Sequence, residues 1–165
     1  MRFFLLSPLV LLLAPAAPAQ DAAVGVQSSR DAAAVSPAVY DGIERESRYI
    51  PMRDGVKLAA DILFPTRGGK RAEEPLPLVW THDRYHRAVR QDGQVIHKGF
   101  QATQRELLRR GYLVAAVDVR GSGASFGVCD GPFNPKETRD AYDVTEWFAA
   151  QPWCDGNIGM YGGSY

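Results

Sequence analysis

Residues 157–165 read NIGMYGGSY: a short apolar strand signal at Ile158 and Met160 runs straight into Gly162, Gly163 and Ser164. Two glycines and a serine after such a run mark a sharp turn at the strand's end. Ahead of it, Asp155-Gly156-Asn157 reads as a tight turn feeding the strand. What this strand belongs to is decided by the segments upstream.

Residues 135–152, PKETRDAYDVTEWFAAQP, open with proline, carry acids in their first turns and place Ala141, Val144, Trp147 and Phe148 on one stripe. That pattern predicts an amphipathic helix closed by Pro152, with Trp147, Phe148 and Trp153 as packing aromatics. Residues 112–119, YLVAAVDV, form a continuous apolar run, as a buried strand does. Residues 99–111, GFQATQRELLRRG, put Phe100, Leu107 and Leu108 on one helical face and end on Gly111, a C-cap glycine. Residues 76–83, LPLVWTHD, are too short for a helix and suit a strand covered on both faces. The polar stretch TRGGKRAEEP, 66–75, reads as a loop.

Before it, residues 46–65, ESRYIPMRDGVKLAADILFP, hold two strand-like runs around Arg53-Asp54-Gly55, and Asp-Gly is a strong hairpin signal. Val56, Leu58, Ala60 and Ile62 alternate with Lys57, Ala59 and Asp61, predicting a half-buried strand. The order is a hairpin, then strand, helix, strand, helix, strand. Such alternation argues for an α/β fold with a mostly parallel sheet joined by right-handed crossovers.

Composition narrows the functions. Lys plus Arg and Asp plus Glu both number 19, so no net field draws nucleic acid or anionic lipid to the chain. The N-terminus, Arg2 followed by FFLLSPLVLLLAPAAPAQ, has the charged start, apolar run and Ala17-Pro18-Ala19 step of an export signal. Its apolar stretch is short for a span and holds Pro8 and Pro15, so residues 1–19 are expected to be cleaved after Ala19, leaving no stable membrane span. Residues 20–43 read as a linker and 44–165 as the folded part. Outside the cytoplasm Cys129 and Cys154 can pair, and closing that loop is worth roughly 3 kcal/mol in the chain-entropy model. Two separate half-buried thiols are the other reading.

The chemistry gathers at Ser164. A nucleophile elbow, G-x-S-x-G, flanks its serine with small residues because the backbone turns sharply from strand to helix. Gly162-x-Ser164 supplies its first half. YIPMRDGVKLAADILFP, GYLVAAVDVRGSGASFG and WCDGNIGMYGGSY together resemble the N-terminal catalytic segment of the cocaine esterase and X-Pro dipeptidyl-peptidase-like family of α/β-hydrolases.

The resemblance implies Ser164 as nucleophile, the backbone N–H of Tyr165 as one oxyanion donor and the Tyr85 hydroxyl in WTHDRYHR as the other. Arg84 stands where relatives commonly have proline. It also implies that Asp118-Val119-Arg120-Gly121-Ser122-Gly123 is a structural loop beside the site, with Asp118 and Arg120 bracing one another or nearby backbone. Chain order argues against Asp118 as the triad acid, since in these hydrolases the acid follows the nucleophile. The same loop lacks the Gly-Lys-Ser/Thr of a phosphate loop.

His82, His86 and His97 precede Ser164, so none matches the family's general base, and they read as loop and surface histidines. His82 and His86 lack a third ligand for a metal. The implied function is acyl transfer from an ester, amide or short peptide to Ser164 and then to water, with no cofactor. The triad acid and base would lie after Tyr165, so the 165 residues are expected to be a truncated hydrolase domain, inactive by themselves. The alternative is a non-catalytic secreted binding or structural fragment on the same scaffold.

Overall fold

The computed structural model describes residues 35–97 and 101–163, and every element below falls in the unit Ser36–Tyr165. The export segment with its expected cleavage site, Phe100, Ser164 and Tyr165 lie outside the described residues.

Strand β1 (Gly42–Pro51) and strand β2 (Lys57–Arg67) form the expected hairpin around Arg53-Asp54-Gly55, in register from Gly42 opposite Thr66 to Pro51 opposite Lys57. Packed structure begins ahead of the expected linker boundary. The backbone N–H groups of Val39 and Tyr40 both donate to Arg109 O, at 2.8 and 3.1 Å, and Tyr40 is buried. β1 is mostly exposed and carries Glu44, Arg45, Glu46 and Arg48, charges that guard a sheet edge against pairing with another chain.

β2 departs from the half-buried expectation, for Leu58 to Thr66 are all buried. It lies between β1 and a later strand, with one face under the main core and the other under Leu108 and an ionic cluster at Asp61. The stretch expected as a loop is a tight hairpin: β2 runs on to Arg67, turns at Gly68-Gly69, and pairs with β3 (Lys70–Arg71).

Strand β4 (Leu76–Asp83) buries Leu76, Leu78 and Trp80 on one face and half-buries Val79 and Thr81 on the other. After it comes a hairpin that the sequence reading passed over, β5 (Ala88–Gln91) and β6 (Gln94–His97), turning at Asp92-Gly93. Helix α1 (Ala102–Arg109) buries Gln104 and Leu108. It ends as expected at Gly111, whose φ of 84° lets its N–H and that of Tyr112 reach back to Leu108 O and Leu107 O.

Strand β7 (Leu113–Asp118) is buried throughout. Helix α2 (Pro135–Ala149) starts under Asn134, whose side chain accepts from the N–H groups of Lys136 and Glu137. Strand β8 (Cys154–Met160) is longer than expected because it takes in Asp155-Gly156-Asn157 as an irregularity, Gly156 at φ 87°, where its register against β4 shifts. Its first residue, Cys154, is buried and Cys129 is exposed, both as free thiols.

The strands lie in the order β1-β2-β7-β4-β8. β7, β4 and β8 run parallel, and the β1–β2 hairpin joins β7 antiparallel, so the sheet is mixed, with its α/β part in β7, β4 and β8. β7 and β8 flank β4, so right-handed connections must carry their helices over opposite faces. On one face Val144 and Phe148 of α2 pack with Ile62, Leu78, Trp80 and Ala115. On the other, Leu108 of α1 packs with Leu63 and Val114. Phe148 meets Trp80, Trp147 and Trp153 edge-on at 5.5 to 6.3 Å between ring centres, as packing aromatics do.

Candidate active site

Because the connections after β4 and β7 leave toward opposite faces, a crevice must open between their C-terminal ends. It does, as a cleft of about 290 Å³. Thr81 and Asp83 of β4, Ala116 and Val117 of β7 and Gln104 of α1 line it. So do Tyr85, His86 and Arg87 from the loop after β4, and Tyr161, Gly162 and Gly163 from the segment after β8. Two sequence-predicted features therefore share one cavity: the exposed Tyr85 and the glycine pair that leads to Ser164.

The loop carrying Tyr85 is held from below. Asp83 Oδ1 accepts from Tyr85 N at 2.8 Å, and Asp83 Oδ2 accepts from the Thr81 hydroxyl at 2.8 Å. Two residues on, Arg87 N donates to Asp118 Oδ1 at 2.7 Å. The segment after β8 is held too, with Tyr161 N donating to Trp80 O at 3.0 Å and the Tyr161 hydroxyl accepting from Gln104 Nε2 at 2.6 Å. Burial pushes the Tyr161 phenol above its ordinary pKa, with the Gln104 bond opposing and the Asp83 charge adding.

Asp118 and Arg120 are both buried and brace the loop, though not through one another. Asp118 accepts from the backbone of Arg87 and, at 3.0 Å, from Ala124 N. Arg120 binds Asp140 on α2 with two hydrogen bonds, of 2.8 and 2.6 Å, and reaches Asp54 at 2.7 Å.

The histidines need correction, since only His86 is an exposed loop residue. His82 sits on β4 beside Trp80, and its Nε2 is buried without a hydrogen-bond partner among the described residues. Burial drives its pKa below the usual value, against the pull of Glu137 and Asp140. His97 ends β6 with Nδ1 at 2.8 Å from Asp61 Oδ2, because the unforeseen hairpin folds back over the sheet. Among the described residues no group of three His, Cys, Asp or Glu side chains is placed to hold a metal ion.

Asp61 is the centre of that second cluster. It accepts from Ser47, from Arg87 Nη1 at 2.6 Å and from Arg45 at 3.2 Å. Burial raises its pKa, yet Ser47, His97 and Arg87 together outweigh burial and leave the carboxyl below its ordinary value. Sequence reasoning missed Asp83, Arg87, Gln104 and Tyr161. The one local signal was Asp92-Gly93 between Val89 and Val95, which announced the hairpin that brings His97 over Asp61.

The cleft lies between the Tyr85 loop and the Gly162-Gly163 step. That geometry accords with the matches to known proteins. The profile of the X-Pro dipeptidyl-peptidase (S15) family matches residues 54–165. The chain belongs to that family.

Cocaine esterase of Rhodococcus sp. is 38% identical over 119 residues, covering 70% of this chain and 18% of its own length. A Mycobacterium bovis relative is 34% identical over 138 residues, 76% of this chain and 21% of its own. The chain thus spans about a fifth of the length of the curated relatives it matches. Among solved structures, a CocE/NonD family hydrolase from Staphylococcus aureus superposes with a TM-score of 0.55 at 28% identity, over 73% of this chain and 23% of that one. An α-amino acid ester hydrolase does so with a TM-score of 0.55 at 26% identity, over 89% and 24%. The α/β-hydrolase fold and the family expected from the sequence both hold.

Proposed function

We propose that the protein is a serine hydrolase that cleaves ester, amide or short-peptide acyl bonds through an acyl-enzyme on Ser164. In this reading Ser164 Oγ attacks the carbonyl carbon and its proton passes to a general base, which the family pattern puts after Ser164 in chain order. The carbonyl oxygen becomes an alkoxide held by the Tyr85 hydroxyl and the Tyr165 N–H. Collapse of that intermediate breaks the scissile bond, and the leaving alcohol or amine takes the proton. Water then repeats the two steps on the acyl-serine and frees the acid.

The observation that supports this most directly is the shared cleft, in which Tyr85 and the Gly162-Gly163 step are neighbours at the C-terminal ends of parallel strands. The ester substrates named for cocaine esterase and the α-amino acid ester hydrolase favour esters among the three bond types. No cofactor enters the scheme. The apolar run and Ala17-Pro18-Ala19 step support export to the periplasm or medium with cleavage after Ala19. No helix among the described residues is long and apolar enough to cross a membrane.

The test is labelling with a fluorophosphonate probe. The protein, expressed from its complete reading frame, should take up one equivalent on the peptide containing Ser164 and lose turnover of a p-nitrophenyl ester. Ser164→Ala should abolish both. Labelling elsewhere, or turnover surviving in Ser164→Ala, would refute the assignment.

A further inference from the structure

We propose that Asp118 is a positioning residue for Tyr85, fixing from the end of β7 the turn that presents this tyrosine to the cleft. The inference rests on the reading of Tyr85 as an oxyanion donor and adds the residue that sets its place.

Asp83 and Asp118 are register partners at the ends of the parallel strands β4 and β7. Each carboxylate takes one end of the same short turn. Asp83 Oδ1 accepts from Tyr85 N at 2.8 Å, and Asp118 Oδ1 accepts from Arg87 N at 2.7 Å. Between them His86 adopts a left-handed backbone, φ 66°. That conformation is disfavoured for a non-glycine residue and persists where the surroundings over-determine it. Here two carboxylates do so.

The clamp has depth. Asp118 is only 2% exposed, its Oδ2 also accepts from Ala124 N at 3.0 Å, and Arg87 Nε stands 3.4 Å from the same oxygen. The Arg87 guanidinium continues to Asp61 at 2.6 Å, where His97 binds the other carboxylate oxygen. The turn is tied through Arg87 to β2 and β6 as well as to β7. Each Asp118 oxygen already accepts from a backbone amide, which suits a brace better than a partner for a catalytic histidine.

A shift of about 1 Å in an oriented catalytic group can cost on the order of 10²-fold in rate. The experiment is a double-mutant cycle in the protein expressed from its complete reading frame, read by kcat and KM on a p-nitrophenyl ester. Tyr85→Phe should lower kcat about 10²-fold. Asp118→Ala should lower it roughly 10- to 100-fold with KM little changed. Asp118→Asn, whose single carbonyl oxygen can still accept from Arg87 N but whose NH2 then faces Ala124 N, should recover part of that loss. In the Tyr85→Phe background Asp118→Ala should cost almost nothing more, because the group it positions is gone. Losses that multiply would overturn the inference while leaving Tyr85 in its role. A Tyr85→Phe enzyme with unchanged kcat would overturn the underlying reading and this inference with it. Should Asp118→Ala not fold, Asp118→Ser, whose shorter side chain withdraws the acceptor from Arg87 N, takes its place in the cycle and the same two outcomes decide.

Discussion

Arg120 grips Asp140 in a fork, Nε to Oδ2 at 2.8 Å and Nη2 to Oδ1 at 2.6 Å, while its Nη1 reaches Asp54 Oδ2 at 2.7 Å. One guanidinium thereby joins the loop after β7, helix α2 and the β1–β2 turn. Both members of the fork are buried, so removing one leaves a desolvated charge alone. Arg120→Ala should cost about 3 to 5 kcal/mol by urea unfolding. Arg120→Lys should also lose stability, because an ammonium cannot reproduce the planar fork. Replacing both residues, as Arg120→Met with Asp140→Leu, should cost less than Arg120→Ala alone. A loss below about 1 kcal/mol for Arg120→Ala would show that the fork does not anchor the loop.

The cluster at Asp61 sets a pH dependence with a definite sign. Its folded pKa lies below the ordinary carboxylate value because Ser47, His97 and Arg87 outweigh burial. A depressed carboxyl gives stability that is fully present above the unfolded pKa, about 3.9, and is lost as pH falls through the folded value. Melting temperature followed from pH 6 downward should therefore drop more steeply in the native protein than in Asp61→Asn, and only at acid pH. Parallel curves would mean that Asp61 does not titrate differently on folding.

Gly123 has a positive φ of 55°, and a Cβ built there would run into the Asp118 carboxylate. Gly93, at φ 78°, has open space around the same position. Alanine at either site meets the backbone penalty, more than about 1 kcal/mol where φ is positive. Only Gly123→Ala must also displace Asp118. Chemical unfolding should find it the more destabilising of the two, and equal losses would remove the close approach as a reason for glycine.

Much of this fold was legible because its elements are locally determined. Asp54-Gly55 fixes a hairpin, Gly111 ends a helix by its own φ, and the stripe of Ala141, Val144, Trp147 and Phe148 can only be the buried side of α2. The misreadings share a different cause. Asp61 and Lys57 made β2 look half-solvated, but Asp61 is polar only because Arg87, His97, Arg45 and Ser47 converge on it from three other segments. No spacing along the chain encodes that convergence. The same holds for the site. Ser164 was flagged by adjacent glycines, whereas Asp83, Arg87, Gln104 and Tyr161 enter the cleft only once β4 and α1 are folded against the end of β8.

The two cysteines, whose pairing the sequence left open, give a chemical test of the loop after β7. Cys129 is exposed there, with Arg84 Nη2 3.3 Å from its sulfur, while Cys154 is buried at the start of β8. Burial raises the Cys154 thiol above its ordinary pKa, with the Gly156 N–H opposing and the Asp155 charge adding, so fewer of its molecules are thiolate at a given pH. Since the thiolate is the reactive form, access and ionisation act in the same direction. Titration of the native protein with a chromogenic disulfide near pH 8 should release one fast equivalent. The second should appear only on unfolding, without any reductant. Cys129→Ser should erase the fast phase and leave the slow one. If neither thiol reacts until a reductant is added, the two are bridged, and the loop from Cys129 must approach the start of β8.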